Sequence, residues 1–397
     1  MRLVYQPGES RQVFYTYRNM GIAPVDLYVS VPPTDATCQS AVRLSAANLT
    51  PLREEVAGVN RVRCYRVSHR TTLRLTWTCE TRGASLEDGT PADCPQLAED
   101  DRADYLQPSP QLSRGPEIVA QSHALMGDEK DPLTIARAFF DDLVANYRYM
   151  YPVRNRGALA MQRSRRGDCG QFTALFVAWC RAVGIPARPV VGTFIGGFKP
   201  HVWAEFWLDK VGWVPVDPSY GQALSMDSGT EAAARVFGRI EPTRMAFSYD
   251  YDLRASWYGK PVRGVLLGRL MTIAGPRFEG RRLRWGYETL EGGIPFLQPA
   301  YPRGRGGLAT VIRLSSLGDW ASTARGPGWR VVARDVIGQL AVLAACVSFA
   351  LSVIAPMAQG SLQTGVRLLT IVVLGTFILI PIITSEAFVR RLRMHRS

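Results

Sequence analysis

RGDCGQFTALFVAWCRAVGIPARPVVGTFIGGFKPHVWAEFWLDKVGWVPVDPSY, residues 166–220, decides the fold. Cys169 follows Gly167-Asp168 and opens an apolar pattern of helical period, with Phe172, Leu175, Phe176, Trp179 and Val183 on one face. Gly184 and Pro186 supply the stop. Cys169 is therefore expected at a helix N-terminus, where unpaired N–H groups and the helix dipole favour a thiolate. The stretch from His201 to Leu208 alternates as a strand, Asp209–Gly212 is a turn, and Val214 and Val216 carry the apolar row of the return strand. If the two apolar rows share the buried face, His201 and Asp217 share the other, as a cross-strand or diagonal pair.

A thiol, an imidazole and a carboxylate brought together in this way have a defined chemistry. Cys169 is the expected nucleophile, His201 takes and returns its proton, and Asp217 orients the imidazole and supports its charge. Backbone N–H groups around Cys169 would form part of an oxyanion hole. The bland reading of Cys169 is an inert thiol on an inherited fold. It competes poorly, because the chain has only 4 His, and His201 stands where the chemistry needs it. Cys180, inside the same helix, reads as a buried small hydrophobe. Trp203, Trp207 and Trp213 either line a cleft or pack half-exposed, the second being the commoner role. Glu205 reads as a structural ion-pair partner.

GDCGQFTALFVAWCRAVGIPARPVVG and HVWAEFWLDKVGWVPVDPSYG, at their spacing, resemble the transglutaminase-like superfamily of papain-related cysteine enzymes. The resemblance spans roughly Ala136 to Tyr220. It implies an α+β, papain-like core, in which the helix bearing Cys169 packs on an antiparallel sheet, and Cys169, His201 and Asp217 match the three catalytic positions. It implies no metal or organic cofactor. The segment before the cysteine can supply a further oxyanion donor in that family, with Tyr149 and Tyr151 as candidates. YVSVPP followed by a Gln also resembles the β-domain that precedes such cores in bacteria.

Composition sets the outer limits. A chain of 397 residues holds two domains and extensions. The net charge of +13 invites a nucleic-acid reading, yet nearly all of it is scattered arginine, with lysine only at Lys130, Lys199, Lys210 and Lys260. No zinc-ligand spacing or phosphate-cradling glycine loop accompanies it, so nucleic acid is not an expected partner. Cys38, Cys64, Cys79 and Cys94 lie in the N-terminal region. Two disulfides or free thiols are both compatible with their irregular spacing.

In chain order, residues 1–100 read as a small β-sandwich with strands at Gln12–Arg18, Val25–Val31, Arg61–Val67 and Thr71–Cys79. No signal peptide is visible at the start. Residues 84–115 have linker composition. The core is expected over 101–255, with a helix begun by Asp131-Pro132, a helical patch at Gly229–Phe237, and a strand-like Arg244–Leu253 closing its sheet. Residues 256–330 are an uncharacterised extension.

Residues 331–397 are of another material. Val336–Ala355 is free of charge and long enough to span a bilayer, and Val366–Thr384 contains a second apolar run, broken only by Arg367 near its start and Pro381 near its end. Arginines flank the pair, so the charge bias predicts a transmembrane hairpin with both chain ends, and the soluble region, in the cytoplasm. The sequence thus predicts a membrane-anchored cysteine enzyme acting on a protein or peptide amide. The alternative is a silent scaffold serving as an accessory subunit of a larger membrane complex, docked through Ala344, Ala345 or Gly375.

Overall fold

The computed structural model describes residues 1–18, 24–68, 71–90, 96–150, 156–195 and 199–254, and the backbone of short strands at 277–278, 281–282, 293–296, 300–303 and 321–323. All belong to the first of two compact units, Met1–Gly326; the second, Pro327–Ser397, contains the predicted hairpin and lies outside the described residues. Among the described residues no helix is long and apolar enough to cross a membrane.

The N-terminal region is built of β1 (Arg2–Arg18), β2 (Val25–Val31), β3 (Gln39–Ala47), β4 (Arg53–Ala57), β5 (Asn60–Val67) and β6 (Thr72–Glu87). β1 and β3 flank β6 in one antiparallel sheet, while β2 and β4 flank β5 in another. Alternating residues of the two sheets, among them Leu27, Val29, Tyr65, Val67, Leu73 and Leu75, bury into a shared core, as in a sandwich. The sequence reading missed β3 and β4, whose exposed faces dilute the apolar alternation. Cys38, Cys64 and Cys79 are free and buried, and burial pushes the Cys38 thiol up to about 12. Cys94 lies outside the described residues.

The linker-like stretch holds more structure than its polar composition suggests. β6 runs on to Glu87, and α1 (Glu99–Asp104) follows. Past it, Tyr105 packs edge-on against Trp213, Arg181 donates to Gln107 O (2.7 Å), and Ser109 Oγ and Gln111 N donate to Asp252. These bonds strap the segment onto the core. Asp252 is pushed up to about 6 by burial, against the pull of those same donors.

The core comprises α2 (Pro116–Met126), α3 (Pro132–Asn146), β7 (Arg148–Tyr149), α4 (Ala158–Ser164), β8 (Arg166–Gly167) and α5 (Cys169–Ala182). After them come β9 (Ala187–Phe194), β10 (Lys199–Leu208), β11 (Gly212–Val216), α6 (Pro218–Ser228), α7 (Thr230–Ala234), β12 (Arg239–Ile240), β13 (Arg244–Tyr249) and β14 (Tyr251–Arg254). α3 starts as its sequence dictates: Asp131 accepts from Thr134 N with Pro132 in the first turn, and Phe139, Phe140 and Leu143 are buried. The sheet is antiparallel in the order β11-β10-β9-β13, so Arg244–Tyr249 does join its edge. α5 packs on one face of it, held by Thr173 Oγ1 donating to Val202 O.

Two expectations need correction. α5 is buried from Gln171 through Arg181, on every side rather than on one face, because the other helices surround it. Of the three tryptophans on the expected half-exposed row, two are buried, Trp203 at 0 % and Trp207 at 7 % exposure, and only Trp213 is partly exposed. The cover is N-terminal, with Ala36, Cys38 and Ala84 packing against Trp203, Val190 and Ala246. Polar bonds complete it. Gln39 bonds the backbone of Ala246 in both directions, and Asn60 does the same at Tyr249, so two side-chain amides satisfy the outer edge of β13. Leaving any of these buried groups unpaired would cost about 1–3 kcal/mol.

Candidate functional site

Cys169 is the first residue of α5. Asp168 caps the helix, its carboxylate accepting from Gln171 N (3.2 Å), and Arg156 grips that carboxylate at 3.1 Å and 2.8 Å. Gly167, just before, has no room for a side chain: a Cβ would lie 2.5 Å from Met161 Sδ. Tyr251, reaching over from β14, donates to Gly170 O (3.0 Å). Burial works against the charge on Arg156, but Asp168 and the nearby Cys169 outweigh it and hold the guanidinium's pKa up. The thiol is partly exposed, whereas Cys180, on the same helix, is buried and its thiol raised by that burial.

His201 lies near the start of β10, opposite Gly192 of β9. β11 pairs Val216 with Ala204, and continuing that register sets Asp217 beside Trp203, two positions from His201 on the same face. The strand itself ends at Val216, and Asp217 is the N-cap of α6. His201 Nε2 stands 2.6 Å from Asp217 Oδ2. The Cys169 side chain is also hydrogen-bonded to the imidazole. The structure therefore brings Cys169, His201 and Asp217 together as one chain of contacts.

The imidazole is walled by aromatic rings: Phe194 at 4.8 Å between centroids, and Trp203 stacked at 6.4 Å. Gly192 makes room for the indole, since a Cβ there would lie 2.6 Å from Trp203 Cη2. Burial alone would strip the imidazolium of its proton. The Asp217 carboxylate and the bonds to Asp217 and Cys169 outweigh it, raising His201 to about 9. Asp217, conversely, is held far below the usual carboxylate range: burial opposes its charge, but His201 and Arg244 overcome that penalty.

Sequence reasoning missed three participants, Arg156, Tyr251 and Arg244. Arg244 opens β13 and is 1 % exposed, with Nη1 2.5 Å from Asp217 Oδ2. Of the oxyanion candidates, Tyr149 is 49 % exposed and its backbone N–H donates to Gln222, while Tyr151 lies outside the described residues. Glu205 is indeed structural, paired with Arg188 at 2.8 Å and accepting from Thr37 Oγ1. Among the described residues no cluster of His, Cys, Asp and Glu is arranged to hold a metal ion.

Residues 120–218 match the family model of the transglutaminase-like superfamily. An uncharacterized protein of Haemophilus influenzae is 26% identical over 208 residues, covering 43% of this chain and 56% of its own length. A protein-glutamine gamma-glutamyltransferase of Pseudomonas aeruginosa is 34% identical over 84 residues, covering 18% of this chain and 12% of its own. This chain thus spans little more than half of the first relative and a small part of the second. Among solved structures, the periplasmic domain of TgpA from Pseudomonas aeruginosa bound to ethylmercury aligns with a TM-score of 0.36 at 18% identity, over 55% of this chain and 75% of that one.

Proposed function

The chain carries a transglutaminase-like domain at residues 120–218, and from that premise we propose that it is a cysteine enzyme acting on a peptide or glutamine-type amide through a Cys169 thioester. The observation that carries the reading is the His201 imidazole, held between the Cys169 side chain and Asp217 Oδ2. In the proposed cycle the thiol gives its proton to His201 and the sulfur adds to the amide carbonyl. The C–N bond then breaks, the amine leaves with the proton that His201 returns, and the acyl group stays on sulfur. A water molecule, deprotonated by His201, next adds to the thioester, releasing the acid and restoring the thiol. N–H groups at the start of α5 face the oxygen on which charge develops.

Water is the acceptor we favour, because hydrolysis needs no second binding site. Transfer to an amine is the second reading, supported by the name of the 34%-identical Pseudomonas aeruginosa relative. The test is the rate of iodoacetamide labelling at Cys169 against pH, read by mass spectrometry, with His201→Ala as the control. Fast labelling that persists below pH 7 and slows in the control is expected of a His-paired thiolate. Labelling that rises only near the free-thiol pKa of about 8.5 would instead favour the silent scaffold.

The apolar runs at 336–355 and 366–384 support anchoring by a membrane hairpin with the domain on the cytoplasmic side. One reporter fused at the C-terminus and another within 356–365 test this. Activity of the loop reporter in the cytoplasm would end the hairpin reading.

A further inference from the structure

Arg244 holds a place that no part of the proposed cycle uses. Its Nη1 lies 2.5 Å from Asp217 Oδ2, and that same oxygen lies 2.6 Å from His201 Nε2. The other carboxylate oxygen accepts from Ser219 Oγ and from Tyr220 N, both at 3.0 Å. Asp217 therefore cannot rotate without breaking bonds at both oxygens. Arg244 is fixed in turn by Glu241 (2.9 Å) and by stacking on Phe194, at 4.5 Å from the ring centroid, and Tyr220, at 5.7 Å. Phe194 and Trp203, the latter 5.3 Å from Arg244, also pack on His201, so the same two aromatic side chains hold both cations.

Two positive donors on one oxygen compete for its charge. The two distances together keep Nη1 and Nε2 within about 5 Å of each other. At that range the permanently charged guanidinium repels the imidazolium while Asp217 attracts it. An imidazole that must return its proton works best when its hold on that proton is limited.

We propose that Arg244 is a positioning residue of this site: by sharing Asp217 Oδ2 it fixes the carboxylate and limits how tightly Asp217 makes His201 hold its proton. The inference rests on the reading of Cys169, His201 and Asp217 as one working set. The ionisable groups facing this unit are the Cys169 thiol on His201, Arg244 on Asp217, Glu241 and the buried Cys38 thiol beside Arg244, and the Tyr220 phenol; the rest of the wall is Phe194, Trp203 and Ser219.

The experiment is a histidine-selective NMR titration of the full-length chain. Its 4 His give few signals, and His201 is identified by its loss in His201→Ala. Arg244→Met and the milder Arg244→Gln, which keeps a donor for Asp217, remove the charge, and Arg244→Lys retains it. With either neutral residue the His201 midpoint rises by about one to two pH units, because Asp217 then acts on it unopposed. The lysine variant stays within about half a unit of the parent. A merely structural arginine would loosen the site on removal and let His201 fall toward its ordinary value of about 6.5. That fall, an unchanged midpoint, or a lysine variant that moves as far as the glutamine one overturns the proposal. The titration does not depend on the thiol being a nucleophile, so its outcome is separable from that of the labelling experiment.

Discussion

Two buried carboxylates, Glu205 in β10 and Asp217 just past β11, are served by arginines from β9 and β13. At one, Glu205 is 0 % exposed and pairs with Arg188, whose guanidinium is sandwiched 3.9 Å from the ring centroids of both Trp213 and Tyr249. At the other, Asp217 pairs with Arg244, and Phe194 takes the place of the sandwich. The ion-pair chemistry is the same in both. The third partner differs: a threonine hydroxyl at Glu205, an imidazole in contact with a thiol at Asp217. A closed pair whose other partner does not titrate can only hold layers together. Once the partner is a histidine, the same pair also sets where a proton resides.

The contrast breaks first at Glu205. Glu205→Ala leaves Arg188 charged and buried without its carboxylate, and is expected to cost about 3–5 kcal/mol of unfolding free energy. Urea denaturation measures it. In the protein that remains folded, the pH profile of Cys169 labelling keeps its shape, because nothing in the Glu205 cluster touches His201. A loss under about 1 kcal/mol, or a displaced profile, would mean that the two arginine centres are coupled rather than separate.

How much of this was legible beforehand differs between the two centres for physical reasons. Cys169, His201 and Asp217 stand at element ends, and helix period, strand alternation and turn residues all have local signatures. Asp168 and Gln171 even carry the three-residue spacing of a capping pair, a usable signal for the cap that went unread. Arg244 had no such mark. It is one arginine among many in a chain of net charge +13, and its burial results from strands far apart in sequence closing around it. The depth of Trp203 was hidden likewise, since its cover comes from Ala36, Cys38 and Ala84. Period-two alternation tells which residues share a face, not whether a second layer lies on it. The Gln39 and Asn60 bonds to β13 belong to the same class: their partners are about two hundred residues away.

The gentler way to sharpen the comparison is to follow stability against pH, since only one of the two centres contains a histidine. His201 is raised from 6.5 to about 9, so the folded state binds its proton more tightly than the unfolded chain. That contribution is complete below about pH 6.5 and is lost as pH rises through 9. The full span corresponds to at most roughly 3 kcal/mol, shared with Asp217, whose ionised form supplies the attraction. Asp252, raised from 3.8 to about 6, has the same sign in a more acid window that ends near pH 7, and the thiols raised by burial add theirs only above the free-thiol pKa of about 8.5. Urea midpoints between about pH 7 and 8.5 should therefore fall in the parent chain and flatten in His201→Ala. In Glu205→Ala they should run lower throughout but parallel to the parent. If the His201→Ala curve keeps the parent's slope, the proton is held elsewhere, and the distinction between a structural and a proton-setting arginine pair fails with it.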